Sequence, residues 1–147
     1  MEGILFIGIQ ASGKTSFYQR FFAKTHLHLS LDMLKTRHRE TILVQACIQA
    51  KQSFVIDNTN PTRAERKKYI AWLKAGGFKI KGYYFSSPLE DSLHRNLLRS
   101  GKELIPEAGV RSTHKKLELP AHEEGFDELF CVTLSGHEFN VKAWSGT

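Results

Sequence analysis

Apolar and polar positions follow two periodicities along this chain, and together they divide it into strands and helices. Short runs that are almost entirely apolar, such as residues 4–7 and 54–56, predict strands buried on both faces. Longer stretches that are apolar on one side only predict amphipathic helices. The predicted strands span residues 3–8, 26–30, 54–56, 78–85 and 128–134. The predicted helices span residues 13–24, 32–52, 60–75 and 88–100.

This alternation of strands and helices predicts an α/β fold in three layers, with a mainly parallel five-stranded sheet between helices. Residues 137–144 are a candidate for an additional edge strand. A length of 147 residues suits a single domain over residues 1–147. In such sheets ligands bind beyond the carboxyl ends of the strands, so residues that directly follow a strand are the first candidates for a site.

Composition and charge narrow the class of protein. No apolar run approaches the roughly 20 residues of a membrane span, and the first predicted strand begins too early to leave room for a signal peptide. Cys47 and Cys131 lack metal-like spacing and are expected to be reduced and buried. These features predict a cytoplasmic protein without membrane contact. The net charge of +6 is explained either by solubility or by an anionic partner.

A glycine-rich loop carries the clearest chemistry. Residues 8–15 read G-I-Q-A-S-G-K-T, a complete G-x-x-x-x-G-K-[ST] pattern between a predicted strand and a predicted helix. In that setting the loop N–H groups and the helix N-terminus cradle phosphates. A lysine at Lys14 reaches the β- and γ-phosphates, and the Thr15 hydroxyl is a candidate Mg²⁺ ligand. The predicted nucleotide contacts are Gly8, Ala11, Ser12, Gly13, Lys14, Thr15 and Ser16.

Two carboxylates follow predicted strands and should meet at the same edge of the sheet. Asp32 is a candidate for the base that orients an acceptor hydroxyl, and the alternative is that it caps the following helix. Asp57 ends an apolar strand in a Walker-B-like arrangement that serves Mg²⁺. The alternative for Asp57 is a turn-forming role, which is compatible with metal binding.

Basic residues form two clusters on predicted helices. Arg95 and Arg99 are four residues apart, so they share a helical face and could cover the phosphates as a lid. The second cluster, at residues 63–68, could follow an acceptor phosphate backbone. For both clusters the alternative is an ordinary solvated basic face.

The motifs taken together resemble one family. They are the glycine loop, S-L-D at 30–32, V-I-D-N-T-N-P-T-R-A-E-R at 55–66, H-R-N at 94–96 with Arg99, I-P at 105–106, H-K-K-L-E-L-P at 114–120 and E-G-F at 124–126. This set resembles the polynucleotide 5′-kinase branch of the P-loop kinases, including the kinase domain of polynucleotide kinase-phosphatases. The likeness covers nearly the whole chain, and the block at 55–66 is its most specific part.

The resemblance implies a P-loop kinase fold with a small helical lid at about residues 95–120 and Mg²⁺-dependent transfer of the γ-phosphoryl of ATP to a 5′-hydroxyl end of DNA or RNA. It implies that Lys14, Asp32 and Arg99 are catalytic. It also implies that Arg95 and Arg99 contact ATP, that Thr15 and Asp57 serve the metal, and that the acceptor meets Asp32, Lys35, Asp57, Asn58 and Arg63.

One position departs from the family. Many members carry an arginine three residues after the base, where it holds the acceptor phosphate and is braced by the acid after the third strand. This chain has Lys35 there, expected to face Asp57, and lysine keeps the charge but lacks the bidentate fork. The D-x-D-G-T phosphatase signature is absent, so no 3′-phosphatase activity is expected.

Two other functions stay open at this point. A P-loop kinase of a small metabolite or nucleotide-sugar would share the loop, the base and the lid. A non-kinase NTPase is less favoured, because such a protein positions a water with Gln or Glu. The preference for DNA or RNA and the oligomeric state are not indicated by the sequence.

Overall fold

The computed structural model of the protein describes residues 1–146. Strands β1 to β6 are Glu2–Ile7, Leu27–Leu29, Phe54–Ile56, Lys79–Phe85, Glu128–Ser135 and Glu138–Ala143. Helices α1 to α6 are Lys14–Phe21, Leu31–Leu34, Arg37–Ala50, Arg63–Ala75, Leu89–Leu97 and Glu107–Lys116. Two 3₁₀ turns, Gly101–Glu103 and His122–Glu124, follow α5 and α6.

The sheet has the order β2-β3-β1-β4-β5-β6. All neighbouring strands are parallel except β5 and β6, which form an antiparallel hairpin turned at Gly136. The α/β class and the mainly parallel sheet are therefore confirmed, and the count of five strands is corrected to six. The hairpin adds the edge strand for which residues 137–144 were the candidate.

Strand β1 lies at the centre and explains why its apolar run is continuous. Ile4 and Phe6 pack with α1 on one face, whereas Leu5 and Ile7 pack with α3 and α4 on the other. Both faces of the sheet are thus covered by helices, which is the three-layer arrangement that a parallel sheet requires.

The predicted helix 32–52 is two helices. α2 ends at Leu34, and the φ of 74° at Lys35 takes the chain out of the helix. Thr36 then caps α3 by accepting a hydrogen bond from the N–H of Arg39. A threonine oxygen at this position satisfies an N–H that has no partner within the helix. The break separates the start of α2 from the start of α3, and both starts reach the candidate site.

The predicted helix at 60–75 begins later than expected. Thr62, not Asn60, is its N-cap, and Thr62 accepts a hydrogen bond from the N–H of Glu65. Asn60 is buried with a φ of 44° and donates from Nδ2 to the carbonyl of Phe6, 2.7 Å away. The amide is used to join the chain after β3 to β1, so it is unavailable as a cap.

The region after β4 forms a small helical lid. α5 ends at Leu97, three residues before the predicted end at 100. Asn96 then holds the following turn, because its Nδ2 donates to the carbonyl of Ile105 and its Oδ1 accepts from the same residue's N–H. α6 follows and packs against α5.

Two smaller expectations concern the cysteines and the membrane. Cys47 is buried as expected, whereas Cys131 is only half-buried, and both are free thiols. None of the helices in the described part of the chain is long and apolar enough to cross a membrane.

Candidate active site

A cleft of about 240 Å³ opens at the carboxyl ends of β1, β2 and β3. It lies where ligands bind in parallel α/β sheets, next to the point at which the strand order reverses. Seven of the predicted site residues line it: Ala11, Lys14, Thr15, Asp32, Asp57, Asn58 and Arg99. The sequence motifs that were far apart along the chain are therefore brought to one cavity.

The glycine loop has the strained backbone that its glycines predict. Gly13 has a φ of 99°, which only glycine adopts readily. Gly8 has no room for a side chain, because a Cβ there would lie 3.0 Å from Cβ of Phe85. Ser12 is buried within the loop, whereas Ser16 is exposed on the first turn of α1 and is not among the residues lining the cleft.

Lys14 folds back onto its own loop. Its Nζ donates to the carbonyl oxygens of Gly8 and Ile9, at 2.8 and 2.6 Å. Burial lowers the pKa of Lys14 to about 8, with Arg99 adding to the effect and the carboxylates of Asp57 and Asp32 opposing it. The ammonium thus donates to carbonyl oxygens in a loop where the oxygens of a bound phosphate could take their place as acceptors.

Thr15 and Asp57 meet directly. The Thr15 hydroxyl donates to Oδ2 of Asp57 at 2.9 Å, and the carboxylate is almost wholly buried. A hydroxyl and a carboxylate in contact at the mouth of a phosphate-binding loop fit Mg²⁺, which prefers few protein oxygens plus phosphate and water. The metal assignment made from sequence is compatible with this geometry.

His28 is a site residue that the sequence did not reveal. Its Nε2 lies 2.7 Å from the same Oδ2 of Asp57, and its ring stacks on Tyr18 with 4.1 Å between centroids. His28 and Thr15 therefore hold the same oxygen of the Asp57 carboxylate. The alternating pattern of residues 26–30 placed this histidine on one face of β2, but nothing local indicated its partner.

Asp32 presents its carboxylate to the cleft. The N-cap of α2 is Ser30, whose Oγ accepts a hydrogen bond from the N–H of Asp32 itself. The capping explanation for Asp32 is therefore wrong. No described residue donates a hydrogen bond to the exposed Asp32 carboxylate, which leaves it available to a ligand.

Asn58 lines the cleft, but internal contacts use both ends of its amide. Its Oδ1 accepts from the N–H of Leu31 at 3.0 Å, and its Nδ2 donates to Glu40 at 2.8 Å. Asn58 therefore ties β3 to the start of α2, where Asp32 lies, and this geometry favours a positioning role over the predicted acceptor contact.

Glu40 is the centre of a buried network that sequence reasoning missed. It is fully buried on α3, and the Tyr69 hydroxyl donates to its Oε1 at 2.6 Å. Burial, followed by the neighbouring Glu40 carboxylate, raises the pKa of Tyr69 above its usual value. Arg37 donates from Nη1 to both groups and lines the cleft. A buried carboxylate beneath a site was not detectable, because its partners are up to 29 residues away.

The two lid arginines are placed differently. Arg99 lies beyond the end of α5, lines the cleft and is close enough to Lys14 to affect its pKa. Arg95 donates from Nε to the carbonyl of Ala11 at 2.7 Å and from Nη2 to Ser87, so it fastens the lid to the glycine loop. The two do not share a helical face, since the helix ends between them.

The predicted acceptor-binding cations lie away from the cleft. Lys35 is exposed, is not among the lining residues, and has no hydrogen bond or ion pair from its side chain to a described residue. It does not face Asp57 in the structure. Arg63 is also not among the lining residues and is paired with Glu123 and Glu124. Arg66 is fully buried against Glu124, so residues 63–68 are not one exposed basic row.

A family model described as an AAA domain matches residues 4–120. The chain belongs to this AAA domain family. The match includes the glycine loop, both carboxylates of the cleft and the lid, so the resemblance drawn from the motifs is confirmed at the level of the family.

Proteins similar to this AAA domain were found both by sequence and by structure. The bifunctional polynucleotide phosphatase/kinase of Schizosaccharomyces pombe is 29% identical over 153 aligned positions, which cover 97% of this chain. The chain spans only 37% of the length of that curated relative. The fold is similar to that of Chaetomium thermophilum Kti12 in complex with ADP-AlF3, at 17% identity and a TM-score of 0.72, covering 89% of this chain and 88% of that one. It is also similar to a gluconokinase from Sinorhizobium meliloti, at 16% identity and a TM-score of 0.64, covering 90% and 82%.

Proposed function

We propose that this AAA domain transfers the γ-phosphoryl group of ATP to the 5′-hydroxyl end of a DNA or RNA strand. The observation that carries the proposal is the free carboxylate of Asp32 in the same cleft as Lys14, Arg99 and the Thr15–Asp57 pair. A kinase needs a carboxylate that meets an acceptor hydroxyl beside the nucleotide phosphates.

The acceptor hydroxyl donates a hydrogen bond to Asp32, which takes the proton as the acceptor oxygen attacks the γ-phosphorus. A new oxygen–phosphorus bond forms, the bond from the γ-phosphorus to the bridging oxygen breaks, and ADP leaves. Lys14 exchanges its contacts with the loop carbonyls for the β- and γ-phosphate oxygens. Arg99 stabilises the charge that develops on the transferred group.

The Thr15–Asp57 pair supports a role for Mg²⁺. Thr15 Oγ1 and Asp57 would hold the ion, which neutralises charge on the phosphates when it is bound. His28 keeps the Asp57 carboxylate oriented toward Thr15. With Asp57 assigned to the metal, Asp32 is the carboxylate that accepts the proton of the acceptor hydroxyl. Asp32 is on the acceptor side of the cleft and makes no contact with Asp57.

The likeness to a polynucleotide phosphatase/kinase over nearly the whole chain supports a polynucleotide as acceptor. The positive net charge supports an anionic acceptor less strongly than the sequence suggested, because Arg63 and Arg66 form ion pairs with glutamates. Besides Lys14, the cations that line the cleft are Arg37 at the start of α3 and Arg99 of the lid. Gln10, the residue type that positions water in some NTPases, donates instead to Thr113 of the lid.

The second candidate is a kinase of a small metabolite, which the similarity of the fold to a gluconokinase favours. One transfer assay separates the two. The protein is incubated with labelled ATP and Mg²⁺ and with 5′-hydroxyl DNA, 5′-hydroxyl RNA, nucleoside 3′-monophosphates, gluconate and other small hydroxyl compounds. Label on the 5′ ends of strands or of nucleoside 3′-monophosphates supports the proposal, whereas transfer only to gluconate or other compounds that are not nucleotides contradicts it.

Salt dependence provides a second criterion. If a strand is the acceptor, its apparent affinity should fall steeply with salt, because binding releases counterions from the phosphates. An uncharged sugar would show little change. Lys14→Ala serves as the control in both assays, since loss of the phosphate-binding ammonium should abolish transfer to every acceptor.

A further inference from the structure

Arg37 lies at the edge of the cleft in a position that the family pattern does not anticipate. It is the first residue of α3, and it lines the cleft together with Asp32 and Asn58. Half of its side chain is exposed, so its guanidinium is accessible from the cavity. An exposed arginine is either free in solvent or restrained by hydrogen bonds to its neighbours.

Hydrogen bonds to two neighbouring side chains restrain the guanidinium of Arg37. Nη1 donates to the Tyr69 hydroxyl at 2.7 Å and to Oε1 of Glu40 at 3.2 Å. Glu40 is fully buried and also accepts from Tyr69 and Asn58, so it cannot follow a moving arginine. Because Arg37 is already held in the free protein, it should lose less side-chain entropy on binding a ligand than a freely rotating surface arginine would.

The anchoring leaves one edge of the guanidinium unused. Nε and Nη2 of Arg37 have no hydrogen-bond partner among residues 1–146. These two donors are parallel and match two oxygens of a phosphate group, which is the bidentate geometry that favours arginine over lysine. Lys35, by contrast, lies at a break with a φ of 74° and outside the cleft lining.

The same network also reaches the backbone next to the candidate base Asp32. Asn58 donates to Glu40 and accepts from the N–H of Leu31, the residue before Asp32. Arg37 and the backbone next to Asp32 are thus tied to the same buried network. A group bound at Arg37 would present a neighbouring hydroxyl to Asp32 at a reproducible position, which is how positioning contributes to rate.

We propose that Arg37, and not Lys35, binds the phosphate group adjacent to the reacting 5′-hydroxyl nucleotide. The inference rests on the proposed function and names the residue that gives it specificity for a phosphorylated acceptor. Buried Glu40 and the Tyr69 hydroxyl act through Arg37 as positioning residues.

The test uses two short acceptors, a nucleoside 3′-monophosphate and the corresponding nucleoside, with ATP and Mg²⁺. The wild-type protein should prefer the phosphorylated acceptor. Arg37→Ala should raise KM for that acceptor about tenfold or more, from the loss of a charge-assisted contact, and leave KM for ATP unchanged. Arg37→Lys should recover part of the loss, and Tyr69→Phe should show a smaller increase in KM because the arginine is retained but less well held.

Arg39→Ala is the matched control. Arg39 is exposed on the same helix, two residues away, and donates to the carbonyl of Leu34 without lining the cleft. Its removal should change neither KM. Circular dichroism and the KM for ATP report whether each variant is folded.

The outcomes separate the two proposals. If the wild type transfers phosphate to no 5′-hydroxyl acceptor, the proposed function and this inference both fail. If the wild type is active but Arg37→Ala and Arg37→Lys keep its preference for the phosphorylated acceptor, only the inference fails. A selective rise in acceptor KM for Lys35→Ala in place of Arg37→Ala also overturns it.

Discussion

The charged side chains of the cleft differ in burial and in hydrogen bonding, and these differences suit them to binding and transferring a phosphate group. Lys14 is buried and donates to two backbone carbonyls, and burial lowers its pKa to about 8. Asp57 is held by a threonine and a histidine, whereas Asp32 is left without an internal partner. The two carboxylates therefore have different environments, which suits different roles in one reaction.

The lowered pKa of Lys14 makes nucleotide binding proton-linked. Above about pH 8 the free protein carries a mostly neutral Lys14, and bound phosphates favour the charged form, so ATP binding should take up a proton at pH 8.5 to 9. At about pH 6.5 and below, Lys14 is charged in both states and contributes no uptake. Calorimetry in buffers of different ionisation enthalpy measures the uptake.

Lys14→Arg is the control for that measurement, because arginine stays protonated throughout this range. Binding by this variant should show no proton uptake at pH 8.5. Equal uptake by the variant and the wild type would mean that a group other than Lys14 titrates.

Asp32→Asn tests the base. The amide keeps the size of the side chain but cannot take a proton, so transfer should fall by roughly 10²-fold or more while ATP affinity is retained. Single-turnover kinetics with bound ATP measures the step directly. Ser30→Ala, which removes the cap of α2 and keeps the carboxylate, should lose far less activity; a wild-type rate in Asp32→Asn would remove it from the mechanism.

Short elements and the breaks between them position the site. Each of the four residues after β3 forms a hydrogen bond with a different part of the chain. Asp57 bonds to Thr15, and Asn58 bonds to α2 and α3. The Thr59 carbonyl accepts from the N–H of Gly8, and Asn60 bonds to β1. The block that was most specific in the sequence is therefore a brace between the glycine loop and the acceptor side. Its specificity reflects contacts that fix geometry as well as chemistry.

The break at Lys35 between α2 and α3 carries a strained backbone. Lys35→Gly should raise the free energy of unfolding by about 1 kcal/mol, because relief of the positive-φ strain exceeds the entropy that glycine adds to the unfolded chain. Lys35→Ala keeps the Cβ and should give no gain. Urea denaturation of both variants measures the difference, and equal stability of the two would show that the backbone strain is negligible.

At the scale of the whole molecule, one buried ion pair joins distant parts of the chain. Arg66 of α4 is fully buried, donates from Nε and Nη2 to the two oxygens of Glu124 at 2.9 and 3.1 Å, and donates from Nη1 to the carbonyl of Asn60. The pair fastens the turn before β5 to the helix that follows the brace. It is a structural contact 58 residues apart in sequence, not part of an acceptor surface.

Arg66→Ala should lower the free energy of unfolding by about 3–5 kcal/mol, since it leaves the Glu124 carboxylate buried without its partner. Arg63→Ala is the matched control on the same helix: its ion pairs are largely exposed, so the change should stay within about 0.5 kcal/mol. Thermal and urea denaturation decide. Equal effects of the two variants would show that burial of the pair contributes nothing.

Much of this architecture could be predicted from sequence because the signals are local. The pattern of apolar and polar residues located five of the six strands, and the spacing of Gly8, Gly13, Lys14 and Thr15 predicted the phosphate loop. The order of alternation placed Asp32 and Asp57 at the same edge of the sheet. This placement follows from the parallel arrangement, since parallel strands have their carboxyl ends at the same edge of the sheet.

The tertiary structure decided which charged residues face the cleft. Arg37, Lys35, Arg63 and Arg66 look alike in sequence, yet one lines the cavity, one is solvated, one pairs on the surface and one is buried. Their positions depend on the break between α2 and α3 and on burial of Glu40 and Glu124, whose partners lie far along the chain. The sequence alone thus determined the family, the loop and the sheet, and long-range packing determined the acceptor side of the site.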